Sequence, residues 1–312
     1  MVQRVRIALT LAVVIALAPA LAVAEPAARV FINGKPNAVF FNDGDSFRVL
    51  KGAYRGAKAR LAGYNTLESH GAVHQWGRWT AKELYVIAKL ATLKARQGTW
   101  HCTTDEKRDG YGRMLMWCRD LAIFQVRYGL AHAMSVRGPA KAVLLKAQAL
   151  AQRERVGIWA HGIPAYVMTS VHSAEEDTRG RGTYNRLVSS GDGHSAKYWH
   201  ETSYNECDNV CVRVRDFTDA EVKAAIAKLK SNGDLMAKLS GVTPKLLEGA
   251  VRHYARFGVV DNPFPDKLTR PLMLALHKIA KATFKGKSVI GSCMIHVAFK
   301  RRYGTGRAAC LK

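Results

Sequence analysis

Along the chain, apolar residues fall first into short runs and later into helical stripes. "ARVFING" and "SFRVLKG" are brief and rich in β-branched and aromatic residues, and each closes on a turn signal of the Asn-Gly or Lys-Gly kind. The pattern therefore predicts that the chain opens as β-structure from Ala28. "WTAKELYVIAKLATLKARQG" changes the period: Leu84, Ile87, Ala88 and Ala91 share one face and Gly98 is a natural stop, which predicts a helix. "TWHCTTDEKRDGYGRMLMWC" reads as two strands joined by a polar loop, with Cys102 and Cys118 about equally far from the turn at Asp109 and Gly110. Facing each other, they would close a loop of about fifteen residues, worth roughly 3 kcal/mol in the chain-entropy model. A further helix places Leu144, Ala147 and Ala151 in one stripe and stops at Gly157.

From His172 to Ser195 the chain is rich in Gly, Ser and charge and shows no apolar period, so it reads as a linker between two domains. Three helical patterns follow. Thr218 and Glu221 form a capping box ahead of Val222, Ala225, Ile226 and Leu229; Thr243-Pro244 precedes Leu247, Ala250, Val251 and Tyr254; Pro271 precedes Leu272, Ala275, Leu276 and Ile279. "KYWHETSYN", Lys197 to Asn205, is expected to be a small strand. The expected organisation is a signal peptide over 1–24, a first domain over 28–165, a linker over 166–195 and a basic, mainly α-helical, disulfide-containing domain over 196–312.

The signal peptide is read from Arg4 and Arg6, an apolar run broken by Pro19, and Ala22-Val23-Ala24 before Glu25. The run only approaches the roughly 20 apolar residues of a spanning helix. An exported protein without a transmembrane segment is expected, periplasmic or secreted. All 6 cysteines lie beyond it, and their even number favours disulfides over zinc. For Cys207, Cys211, Cys293 and Cys310 three pairings are open.

Charge narrows the partners. Lys+Arg at 48 against Asp+Glu at 24 gives a net charge of +24 over 312 residues, which concentrates polyanions around the molecule. Nucleic acid comes first, and anionic lipid or cell wall is the alternative. After Asp266 no acidic residue follows, while eleven basic ones from Lys267 to Lys312 do, which is either a phosphate-facing surface or a solvated basic face.

"NDGDS", "RLAGYNTLE" and "DGYGR" supply the polar groups that phosphodiester hydrolysis needs. Extra negative charge grows on the phosphate as water attacks, so cations must face its oxygens and a base must orient the water. Arg60 and Arg113 can be those cations and Glu68 the base. A hard divalent ion would take oxygen ligands, here Asp45, the Asn65 amide and a backbone carbonyl at Thr66. Asp45 and Arg60 are expected on neighbouring strands, with Glu68 in the loop that follows. His70 and His74 read as exposed at a helix start rather than as metal ligands, and Trp76 and Trp79 as packing for the helix.

Taken together, Asp-Gly-Asp-Ser, Arg…Asn-Thr-Leu-Glu, Tyr-Gly-Arg, "VRYGLAHA" and "GIWA", in that order, resemble the thermonuclease family, the staphylococcal nuclease homologues, over roughly residues 30 to 160. The resemblance implies an α+β fold built on an OB-fold β-barrel with packed helices. It also implies a Ca2+-dependent, sugar-nonspecific endonuclease that leaves 3′-phosphate ends on DNA and RNA. Carried over by motif, Asp45 resembles the first metal carboxylate and Thr66 the carbonyl ligand. Arg60 and Arg113 resemble the phosphate-binding arginines, Glu68 the general base, and Tyr111 a substrate contact.

Two positions depart from the pattern. Asn65 stands where a second metal-binding aspartate is usual, and Leu67 where proline is common. An amide oxygen holds Ca2+ more weakly than a carboxylate. "AHAMSVRG" also lacks the tyrosines that stack on substrate in the family. The competing expectation is an OB-fold module that binds nucleic acid or an envelope polyanion without cutting it.

Overall fold

The computed structural model describes residues 28–178, 180, 183–260, 264–298 and 308–311. The signal-peptide reading over 1–24 lies outside them, as do Lys300, Arg301, Arg302, Arg307 and Lys312 of the basic C-terminal stretch.

The first strands are β1 (Ala28–Ile32), β2 (Lys35–Asp43), β3 (Ser46–Gly52) and β4 (Lys58–Leu61), each antiparallel to the next. They alternate inward and outward residues: Val30, Ile32, Val39, Phe41, Phe47, Val49, Ala59 and Leu61 are buried in one core. After β5 (Tyr64–Thr66), β6 (Val73–Gln75) and α1 (Ala81–Gln97) come β7 (Thr99–Cys102) and β8 (Met114–Met116). The last two add parallel to β1 and β4, giving a six-stranded mixed sheet in the order β7-β1-β2-β3-β4-β8.

As expected, the segment holding Cys102 and Cys118 folds back on itself about the turn at Asp109 and Gly110, with antiparallel bridges at Thr103–Trp117 and Arg108–Met114. Its two strands form opposite edges of the sheet, and the sheet curls until Thr103 and Trp117 exchange backbone hydrogen bonds of 2.9 and 2.8 Å. The Cys102–Cys118 disulfide joins the edges at the same point. The result is a curled half-barrel, covered by α1, α2 (Arg119–Arg127) and α3 (Ala142–Arg153), with β9 (Ala131–Ala133) pairing β5. Helix α1 carries the Leu84, Ala88 and Ala91 stripe expected of it, and a Thr80–Glu83 capping box starts it.

The stretch read as a linker is folded. β10 (Tyr166–Ser170), β11 (Thr183–Ser189) and β12 (Ser195–His200) make an antiparallel three-stranded sheet. Its buried apolar residues are few, Val167, Met168, Leu187, Val188 and Ala196, among Ser, Thr, Asn and charge. A pattern that sparse is hidden in a polar composition.

Beyond it lie β13 (Asn209–Arg215), α4 (Asp219–Lys230), α5 (Gly233–Lys238), α6 (Pro244–Phe257), α7 (Asp266–Thr283) and β14 (Ser288–Ile295). The helices enclose their own core of Val222, Leu229, Leu247, Val251, Tyr254, Leu272 and Leu276. The capping box at Thr218 and the Thr243-Pro244 start are as expected. Helix α7 begins earlier than Pro271, because the Pro265 carbonyl accepts from Leu268 at 2.9 Å and Thr269 at 3.0 Å; Pro271 sits inside the helix. Strands accompany these helices, so the segment is not purely α.

The β13–β14 pair is cross-linked by Cys211–Cys293, and Cys207–Cys310 ties in the C-terminal stretch. On its other side β14 pairs antiparallel with β6: Met294 lies opposite His74 and Ile295 opposite Val73. The C-terminal segment is thereby stitched into the sequence that surrounds Glu68.

Candidate functional site

The polar residues of "NDGDS" and "RLAGYNTLE" meet at the end of β3 and β4. Ser46 pairs with Arg60 across these strands, and the Leu61 N–H donates to the Asp45 carbonyl at 2.9 Å, so Asp45 and Arg60 sit side by side. The turn before β3 is held by Asp43, whose Oδ1 accepts from the Asp45 N–H (3.2 Å) and the Ser46 hydroxyl (2.7 Å). Between them stands Gly44, where a Cβ would lie 2.5 Å from Thr66 Cγ2, so the turn can close against β5 only with glycine. The buried Tyr64 hydroxyl donates to the Gly44 carbonyl at 2.9 Å and locks β5 to that turn.

Asp45 is buried, with one carboxylate oxygen facing Arg60 Nη1 and the other accepting the Thr66 N–H at 2.9 Å. Arg60 Nη2 donates to the Asn65 side-chain oxygen, and Asn65 Nδ2 donates to the Thr66 carbonyl at 2.7 Å. The guanidinium thus forks across Asp45 and Asn65. Burial raises the Asp45 carboxyl to about 8, against the pull of Arg60. For Arg60 burial opposes the charge, but Asp45, Asp43 and Glu68 outweigh it and hold the guanidinium above its ordinary value.

This arrangement tests the expected Ca2+ site. A Ca2+ needs six to eight oxygen ligands. Both Asp45 oxygens, the Asn65 oxygen and the Thr66 carbonyl each have a partner within the chain, and the cation among them is Arg60. Among the described residues no group of three or more His, Cys, Asp or Glu side chains could hold a metal. As arranged, the donor set does not fit Ca2+, and Asn65 is the reason: a carboxylate there would add the second charge that a divalent ion needs to compete with a guanidinium.

Glu68 lies in the loop after β5, as expected, and its charge acts on both Arg60 and Asp45. Its backbone N–H donates to His74 Nε2 at 3.0 Å. His74 is therefore not exposed at a helix start: it is buried on β6, and its role was hidden because nothing in the local pattern pairs β6 with β14. Since Nε2 accepts, the proton sits on Nδ1. Burial, with His132 adding to it, holds His74 down to about 3. His132, directly opposite Asn65 on β9, is also buried and lowered to about 4, with burial as the main cause. His70 is exposed, its Nε2 3.2 Å from the Asn42 carbonyl.

Arg113 does not join this cluster. It is bound in its own loop, Nε to Asp109 Oδ2 at 2.8 Å and Nη2 to the same oxygen at 2.7 Å, with its guanidinium 5.4 Å from the Tyr111 ring centroid. Tyr111 is 78% exposed. Because β8 runs beside β4 with Leu115 opposite Arg60, this loop opens from the strand next to the Arg60 cluster. Leu67, in the place of the common proline, is buried with Trp76, Leu84, Ile158 and Trp159. Trp76 and Trp79 donate to the carbonyls of Gly162 (3.2 Å) and Ile158 (2.9 Å), the packing role expected of them.

The chain matches no curated protein. Residues 58–161 match the family described as Staphylococcal nuclease homologue, whose members are nucleases, and this segment holds Arg60, Asn65, Thr66, Glu68, Tyr111 and Arg113, with Asp45 just ahead of it.

Proposed function

We propose that the chain is an exported phosphodiesterase that cuts DNA and RNA without regard to the sugar and leaves 3′-phosphate ends. The observation that carries the reading is the pairing of a charged, largely enclosed Arg60 with Asp45, next to the Glu68 loop, within the nuclease-like segment. Arg60 faces the phosphate oxygens as negative charge grows on them, and Arg113, released from Asp109, supplies a second cation from its loop. Glu68 takes a proton from the attacking water, the new P–O bond forms in line, and the bond to the 5′ oxygen breaks. Tyr111 lies beside Arg113 where a base or sugar can contact it. The curled sheet is read as the OB-type barrel that the resemblance implies, and three disulfides accord with export.

The test is cleavage of single- and double-stranded DNA and RNA by the mature protein, with Glu68→Gln and Arg113→Ala beside it. Strong loss in both variants with folding intact is expected; wild-type rates in both would overturn the roles.

A second reading, a module that binds nucleic acid without cutting, is favoured by the same Arg60 fork, which fills the place of a metal. It predicts steep salt dependence of binding and no cleavage by the wild type under any condition.

A further inference from the structure

The sheet formed by β10–β12 carries a second chemistry. Along β11, Thr183, Asn185 and Leu187 are buried while Tyr184 and Arg186 are half-exposed. Register places Trp199 opposite Tyr184 and Lys197 opposite Arg186 on β12, so these four side chains share one face. The reverse face packs Leu187 and Ala196 into a core with Met168 and Met294.

On the outer face the Tyr184 and Trp199 rings lie with centroids 5.0 Å apart. Lys197 Nζ is 4.6 Å from the Tyr184 ring and 5.0 Å from the Trp199 ring, and the Arg186 guanidinium is 5.5 Å from Tyr184. Arg186 is steadied by a hydrogen bond to Ser195 Oγ. At the edge, the His172 ring stands 6.1 Å from Tyr184 and turns its Nδ1 to Glu176.

Half-exposed rings with cations set between them match what a single strand of nucleic acid requires. Bases stack on rings whatever their identity, and the cations follow the phosphates. A duplex hides its base faces, and a polyanion without bases has no use for the rings. The net charge of +24 draws the same class of partner.

We propose that the outer face of β11 and β12 is a binding site for single-stranded DNA or RNA, with Tyr184 and Trp199 as the stacking platform and Lys197 and Arg186 as phosphate contacts. It lies on a different sheet from the Arg60 cluster, and binding there does not depend on that cluster being catalytic.

The experiment measures binding of fluorescein-labelled oligothymidylate and oligouridylate, a duplex of equal length, and inorganic polyphosphate by anisotropy. The full-length mature protein is used in a Glu68→Gln background so that any cleavage is suppressed. Tyr184→Leu with Trp199→Leu is expected to weaken both single strands about tenfold or more and to leave polyphosphate unchanged. Tyr184→Phe with Trp199→Phe keeps the stacking and should bind as the parent does. Lys197→Gln should reduce the slope of log affinity against log salt by about 0.7, the value for one phosphate contact on a single strand. Ultraviolet cross-linking of the parent to oligothymidylate, read by mass spectrometry, should label Tyr184 or Trp199, and it remains decisive if the leucine variant does not fold. Parent-like binding in a folded leucine variant, cross-links that avoid both rings, or polyphosphate binding that matches oligothymidylate and falls with the rings would overturn the proposal.

Discussion

The backbone N–H of Glu68 donates to Nε2 of His74 across 3.0 Å, which fixes the loop carrying the proposed base to a buried ring on β6. A small displacement of a catalytic group costs rate far out of proportion to its size. His74→Phe should therefore lower kcat about tenfold or more with little change in KM, while His74→Gln, which offers an oxygen acceptor, should recover much of the loss. Equal kcat in wild type and His74→Phe, by steady-state kinetics on a short oligonucleotide, would show that the hydrogen bond does not position Glu68.

Arg60 is the counter-ion of a buried carboxyl. Arg60→Ala should lower stability by about 3 kcal/mol, the penalty of breaking a buried pair, and reduce cleavage about a hundredfold. Arg60→Lys retains charge but cannot fork across Asp45 and Asn65, so it should recover stability better than rate. Denaturant melts and initial rates on the same preparations check both.

Asn65 sets the metal preference. Asn65→Asp adds a second carboxylate beside Asp45, and Ca2+ affinity measured by calorimetry should rise at least about tenfold over the wild type. An unchanged affinity would show that Arg60 holds its place even against two carboxylates.

Acid should unfold the protein through its buried imidazoles. Burial lowers His74 to about 3 and His253 to about 4, whereas in the unfolded chain both titrate near 6.5. Between those values the unfolded chain binds protons that the folded chain does not, so stability falls as pH drops from 6.5 towards 4. His253→Phe should reduce the stability difference between pH 7 and pH 4.5 by about 2 kcal/mol. Chemical denaturation at pH 7 and pH 4.5 measures it.

What was legible in the chain is what depends on neighbours in sequence. The Asp45–Arg60 contact follows from two short strands and one turn, and the Thr80 and Thr218 caps from four-residue signals. The Cys102–Cys118 bond was readable from symmetry about a turn, and its strands pair across that turn while also forming the two edges of the sheet. Position alone did not bring Arg113 to Arg60, because Asp109, four residues away, competes for it. Part of β12 was legible as the strand expected from Lys197, but β11 went unread because its buried residues mix Thr183 and Asn185 with Leu187 and Val188 and give no clear apolar period. His74 needed a partner strand far along the chain, which no local period announces.

That pairing bears on how the chain matures. The curled sheet can assemble as soon as β8 has left the ribosome, but β6 must wait for β14, with most of the sequence between them. Contacts of such long range form late. The β6 side of the Glu68 loop therefore gains its strand partner only once residues 288–295 are present.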